Sequence, residues 1–254
     1  MTELLAIASG GFVGFVLGLI GGGGSIVATP LLLYAVGLPP HIAIGTGALA
    51  VSANAFINFG GHARAGNVRW AAAAVFAAAG VVGALVGSTI GKHIDGQRLI
   101  LLFAGMMIVI GIAMLRPRPG GGTAPAPLTS RIAARIAAIG LCVGLMSGFF
   151  GIGGGFLIVP GLILATGMPM INAIGTSLFA VGAFGLATAL NYAASGLVDW
   201  LVAAEFIGGG IGGGYIGMRA SCHLAAQRST LTRLFAALVF IVAFYIIWRS
   251  MQAA

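Results

Sequence analysis

Charge is what this chain has least of. Of its 254 residues only 6% are Asp, Glu, Lys or Arg, and just 4 are acidic. Soluble domains carry about 25% charged residues, so a water-facing globule is excluded. Cysteine is almost as scarce. Cys142 and Cys222 form no CxxC and no zinc spacing, which removes a disulfide framework or a zinc site; both read as small buried hydrophobes. His41, His62, His93 and His223 fall near segment ends, where interfacial placement fits better than metal binding. There is no HExxH and no GxSxG, so neither an enzyme nor a metal or cofactor site is expected. Met1-Thr2-Glu3 has no basic n-region, so a cleaved signal peptide is not expected. The 12 Lys and Arg give a net charge of +8 but lie scattered at segment ends. That pattern orients a membrane protein and does not call for nucleic acid.

What fills the chain is apolar sequence: 59% of residues are hydrophobic and mean hydropathy is +1.12. The first segment runs from about Leu4 to Val36 and is interrupted at Gly21–Ser25. Gly37-Leu38-Pro39-Pro40 stops it, because proline cannot continue a helix. Segments follow at about Ile42–Phe59, Val68–Ile90 and Leu99–Leu115, with Gly60–Gly66 read as a polar loop. The stretch 116–131 is a Pro- and Gly-rich linker flanked by cations. The pattern then restarts, with Ile132–Thr166 interrupted at Gly151–Gly155, then Ala173–Ala194, Leu197–Gly217 and Leu231–Trp248. The division is therefore 1–115, a first membrane repeat; 116–131, a cytoplasmic linker; and 132–254, a second repeat.

The two halves are copies. A shift of 130 residues aligns Gly14–Trp70 with Gly144–Trp200 without a gap, and about 20 of roughly 57 pairs are identical. If each interrupted segment crosses fully, the halves are parallel. Cations then divide seven (Arg64, Arg69, Arg116, Arg118, Arg131, Arg135, Arg249) against five (Lys92, Arg98, Arg219, Arg228, Arg233). If each interrupted segment is re-entrant, the halves are inverted. Nine cations then share one side, and Lys92, Arg98 and Arg249 take the other. Positive charge collects on the cytoplasmic side, so the second arrangement is preferred. The expected fold is an all-α polytopic membrane protein of two inverted repeats, each a glycine-broken re-entrant segment followed by three transmembrane helices.

Four adjacent glycines inside an apolar helix cost about 1 kcal/mol each relative to alanine. They mark a break, and a break frees backbone N–H groups that lipid cannot satisfy. Matching breaks in two halves point to a transporter binding site. The half-helix that resumes after Ser25 presents free N–H groups and the positive end of its dipole, which suit an anion. The candidate substrate-binding residues are Gly21, Gly22, Gly23, Gly24 and Ser25 with Gly151, Gly153, Gly154 and Gly155. Neutral polar residues near one helix face join them: Thr46, Asn54 and Asn58, and in the second copy Thr176 with Ser177. The bland alternative for these is hydrogen-bonding glue between helices. The glycines at 80, 83, 87, 208–210 and 212–214 read as close packing. Glu205, well inside an apolar segment, is a candidate for proton coupling, or else reaches the interface beside Asp199.

Each copy orders the same motifs. Gly21–Ser25 is followed by Pro30, Gly37-Leu38-Pro39 and Ala43-Ile44-Gly45-Thr46. Gly151–Gly155 is followed by Pro160, Gly167-Met168-Pro169 and Ala173-Ile174-Gly175-Thr176, and Gly66…Trp70 recurs as Gly196…Trp200. This order resembles the TauE/SafE sulfite exporter family over essentially the whole chain. The resemblance implies export of small sulfur-containing anions, such as sulfite, sulfoacetate or related organosulfonates, across a bacterial inner membrane. The expected partners are the anionic substrate and the lipid bilayer, with a homodimer among the possible assemblies. A passive anion channel, or a carrier of another small organic anion, is the alternative. A platform recruiting enzymes of sulfur metabolism has little support, because no extramembrane domain exists.

Overall fold

The computed structural model describes residues 2–20, 24–115, 129–151, 155–224, 237 and 239–249. Among these every regular element is a helix: α1 (Thr2–Ile20), α2 (Ser25–Tyr34), α3 (Pro40–Arg64), α4 (Trp70–Lys92), α5 (Gly96–Leu115), α6 (Ser130–Phe150), α7 (Gly155–Thr166), α8 (Met170–Ala193), α9 (Trp200–Leu224) and α10 (Val239–Arg249). Most of the linker, with Arg116 and Arg118, lies outside the described residues, as do Arg228 and Arg233. Six helices are long and apolar enough to cross a membrane: α1, α3, α4, α6, α8 and α9. The first arm of each interrupted segment is thus a full crossing in length; α1 has 19 residues, about 28 Å of helix.

Local chemistry sets the boundaries. Pro39 and Pro40 open α3 with extended backbone at Pro39 (φ −57, ψ 149), and Pro169 opens α8 in the same way (φ −57, ψ 147). The turns before them need a left-handed residue, supplied by Gly37 (φ 86) and Gly167 (φ 68). One expected boundary is corrected. Gly60–Gly66 is not a polar loop, since α3 continues to Arg64 and the connection is 65–69. Gly60 and Gly61 are tolerated there because a helix among packed helices does not depend on propensity alone.

Helix directions follow from which residues touch. A Cβ added at Gly10, Gly14 or Gly18 would run into the backbone at Phe206, Gly210 or Gly214, so α1 and α9 are parallel and backbone-close. A Cβ at Gly140, Gly144 or Gly148 would meet Phe76, Gly80 or Ala84, so α6 and α4 form the same pair. Every one of these contacts maps onto its counterpart under the 130-residue shift. Asn54 and Asn58 lie against Gly210 and Gly214, which sets α3 parallel to α9. Phe184 lies against Gly80 and stacks on Phe76 at 5.9 Å, while Asn191 bonds Ser88; α8 is parallel to α4. Between the two trios, Gly185 meets Ala48, Gly182 meets Phe56, and Phe179 meets Phe59. α3 and α8, the same element in the two copies, therefore cross antiparallel. Ser52 Oγ donates to the Gly182 carbonyl at 2.7 Å in the middle of this seam.

The bundle consequently has two ends. At the first, α1, α3, α5 and α9 begin; at the second, α4, α6 and α8 begin. The core is the seam itself, with Ile44, Val51, Ala55, Val181, Phe184 and Tyr192 almost fully buried. The outer rim carries the exposed hydrophobics, among them Val82, Leu102, Val109, Leu190 and Ile216, as a lipid-facing surface requires.

Candidate functional site

The two interruptions are hairpins rather than kinks. A Cβ at Gly24 would collide with Leu17 N and the Val13 carbonyl, so α2 begins against the middle of α1. Farther along, Gly47 of α3 touches Thr29 and Leu32, and α2 thus runs back towards the first end, where α3 starts. α7 folds back along α6 in the same manner, with Gly161 against Ile139 and Val143. α2 and α7 also touch each other across the middle of the bundle. Pro30 lies inside α2 and its copy Pro160 inside α7. Proline denies the carbonyl four residues earlier its helical partner, which loosens each half-helix near its start.

The start of α2 is buried. Gly24 takes the N-cap position with no side-chain bond, and Ser25, Ile26, Val27, Ala28 and Thr29 are all buried. An N-terminal turn held away from water favours negative charge. No Lys or Arg occurs between residues 1 and 63 or between 136 and 218, so neither half-helix carries a cationic side chain of its own.

Gly21, Gly22, Gly23, Gly153 and Gly154 lie outside the described residues. Gly24 presses α2 onto α1. Gly155 is buried at the head of α7. Gly151 ends α6 in the left-handed region (φ 65) against Ile44. Thr46 and Thr176 have matching bonds: Thr46 Oγ1 accepts from Asp199 N at 2.9 Å, and Thr176 Oγ1 accepts from Arg69 N at 3.1 Å. They pin the chain just before α9 and α4. Ser177 Oγ donates to the Ile174 carbonyl at 2.8 Å, one turn back. Asn58 donates to the Asn54 carbonyl at 2.9 Å and faces Gly214, while Asn54 faces Gly210. Both amides thus lie on the α9 side of α3. Glu205 is half-buried in the second turn of α9.

Burial isolates several polar atoms. The side-chain amide of Asn54 has 0% exposure, and neither its nitrogen nor its oxygen has a partner. Thr29 Oγ1 on α2, Ser147 Oγ on α6 and Thr188 Oγ1 on α8 are likewise buried without one. Such groups are costly to leave unpaired and suit a ligand that brings its own acceptors. Thr29 and Ser147 were not singled out from sequence. The signal was in the repeat: Val159 and Leu17 stand at the corresponding positions, so each hydroxyl appears in one copy only. Of the glycines read as packing, 80, 83, 87, 209, 210, 213 and 214 abut neighbours closely, whereas Gly208 and Gly212 face open space. Among the described residues there is no group of His, Cys, Asp and Glu able to hold a metal.

Residues 6–246 match the family model described as Sulfite exporter TauE/SafE. A probable membrane transporter protein of Xylella fastidiosa (strain 9a5c) is 56% identical over 249 residues, covering 97% of this chain and 95% of that one. The probable membrane transporter protein YunE of Bacillus subtilis is 25% identical over 98% of this chain and 99% of its own length. One from Methanocaldococcus jannaschii, MJ0441, is 30% identical over 65% of this chain and 64% of its own. No solved structure matches significantly.

Proposed function

This chain belongs to the sulfite exporter TauE/SafE family of membrane transporters, and from that premise we propose that it carries small sulfur oxyanions outward across the bacterial inner membrane. Sulfite, sulfoacetate and related organosulfonates form the substrate class. The observation that carries this reading is the buried start of α2, packed against Val13 and Leu17 of α1. Backbone N–H groups and the helix dipole attract an anion there. Neither α2 nor α7 carries a Lys or Arg, which keeps the attraction weak enough for release. The glycine runs, the unpaired Thr29 and Ser147 hydroxyls and the Asn54 amide complete the binding set in this proposal, and Glu205 is the candidate for proton coupling.

Antiparallel passage of α3 along α8 supports reading the copies as an inverted pair. Among the described cations, Arg64, Arg69, Arg131, Arg135 and Arg219 belong to the second end and Lys92, Arg98 and Arg249 to the first, which supports placing the second end in the cytoplasm. Access alternates as the trio α1, α3 and α9 rocks against α4, α6 and α8 about the α3–α8 seam. Export needs no coupling ion, because an inside-negative potential favours anion exit by about 2.3 kcal/mol per charge per 100 mV.

The test is a thermal-shift screen of the purified protein with sulfite, thiosulfate, sulfoacetate, taurine and simple carboxylates. A ligand of the folded state raises apparent stability with its affinity. Protection by sulfur oxyanions alone supports the reading; equal protection by acetate, or none by any sulfur anion, overturns the substrate class.

A further inference from the structure

The two copies place opposite charges at the same junction. At the first end α1 and α9 begin side by side, with Glu3 in the first turn of α1 and Asp199 just before α9, where its Oδ1 accepts from Val202 N at 3.0 Å. Carboxylates there complement the positive ends of two helices. At the second end α4 and α6 begin side by side. Gly140 lies against Phe76, so seven residues earlier Arg69 comes level along the bundle with residue 133, the turn of α6 whose outer, exposed face carries Arg131 and Arg135. Neither helix has an acidic residue in its first turn or a side-chain cap. Arg69 stands where the other copy has Asp199. Cations are therefore stacked on two helix ends that already repel them.

Nothing within the chain compensates this patch. Its 4 acidic residues are Glu3, Asp95, Asp199 and Glu205, and all four belong to the first end or the half of α9 nearest it. Arg69, Arg131 and Arg135 are all exposed, and Arg64 is exposed at the same end. The rule that orients membrane proteins explains why Lys and Arg gather on one side, but it is nearly indifferent to Asp and Glu. It does not account for arginines at positions where carboxylates would stabilise the helices.

We infer that Arg131 and Arg135, at the start of α6, bind the phosphate of an anionic phospholipid headgroup. Position on the bundle selects lipid over a soluble anion. Trp70 beside Arg69 is 60% exposed, as suits the headgroup level. Arg131 and Arg135 head a continuous exposed stripe of α6 that passes down through Ala134, Ala138, Leu141 and Leu145. A phosphate held by the two guanidiniums leaves acyl chains lying along that stripe. Arginine, a planar multiple donor, suits phosphate oxygens.

The experiment compares thermal stability of the purified full chain with phosphatidylglycerol and with phosphatidylcholine. Phosphatidylglycerol should protect the wild type more. Each surface arginine contributes about fivefold in lipid affinity, so Arg131→Gln/Arg135→Gln should weaken binding about thirtyfold, while Arg98→Gln at the first end leaves it unchanged. A second measurement needs no variant: the wild-type preference should collapse in 1 M salt, where screening acts over about 3 Å. No preference in the wild type, or one that survives salt or the double substitution, overturns the proposal. Equal protection by inorganic phosphate or glycerol phosphate does so too, since it would mean a soluble-anion site. None of these outcomes depends on which anion is transported.

Discussion

Ser52 and Gly182 are the same position in the two copies, and they touch: Ser52 Oγ donates to the Gly182 carbonyl at 2.7 Å across 130 residues. The contact lies in the middle of the seam where α3 and α8 pass antiparallel. Ser52→Ala removes this bond without filling space. Interhelical side-chain bonds in membranes are worth about 0.6 kcal/mol on average and up to about 1.7. A loss in that range in detergent-induced unfolding is expected. A loss above about 3 kcal/mol would mean that the seam depends on this contact far more than its geometry implies.

Asn54 separates a structural from a binding role by sign. An unpaired buried amide destabilises a fold, so Asn54→Ala should leave stability unchanged or raise it. If the amide contacts the anion, the same substitution weakens binding about ten- to hundredfold. Equilibrium binding of sulfite and the melting temperature, taken on the same preparation, check both. Unchanged binding removes Asn54 from the site.

Gly24→Val is a poor probe of the anion site, because the added side chain would strike Leu17 and Val13 before any ligand. Thr29→Val and Ser147→Ala are better. Each deletes a buried hydroxyl that has no protein partner, so folding should be unaffected while sulfite affinity falls about tenfold. Wild-type affinity in both variants excludes the two hydroxyls.

Single cysteines in a cysteine-free background test orientation. Ala65→Cys and Ala194→Cys lie at opposite ends of the bundle, both exposed. An impermeant maleimide applied to intact cells should label Ala194→Cys and not Ala65→Cys. The reverse pattern places the second end outside and overturns the cytoplasmic assignment of that end.

Carrier and channel differ in exchange. Proteoliposomes preloaded with unlabelled sulfite should take up labelled sulfite faster than empty ones if access alternates. Currents without such trans-stimulation would make the bundle a pore.

Helix existence was legible from the sequence because apolar runs of this length have one outcome in lipid. The breaks were legible for the same reason, since runs of four and three adjacent glycines (Gly21–Gly24 and Gly153–Gly155) have no other place there. What sequence left open was orientation of side chains within the polar stripe. Thr46 and Thr176 read as members of one ligand set, yet each is engaged with a backbone N–H preceding a helix of its own trio. Spacing puts residues on a face but does not say which neighbour that face meets. The extension of α3 through Gly60, Gly61 and His62 was missed because glycine and histidine read as a turn. Met218 sulfur lies against Gly61, a contact that appears only once α9 is in place.

Each backbone-close pair, α1 with α9 and α4 with α6, draws one helix from either half of the gene. During synthesis α1 and α4 therefore enter the bilayer with their glycine faces bare, and α1 waits for nearly two hundred residues of translation before α9 arrives. Neither half can close its own surface. A chain truncated in the linker should be a substrate for membrane proteases, and two separately expressed halves should recover a folded protein only together.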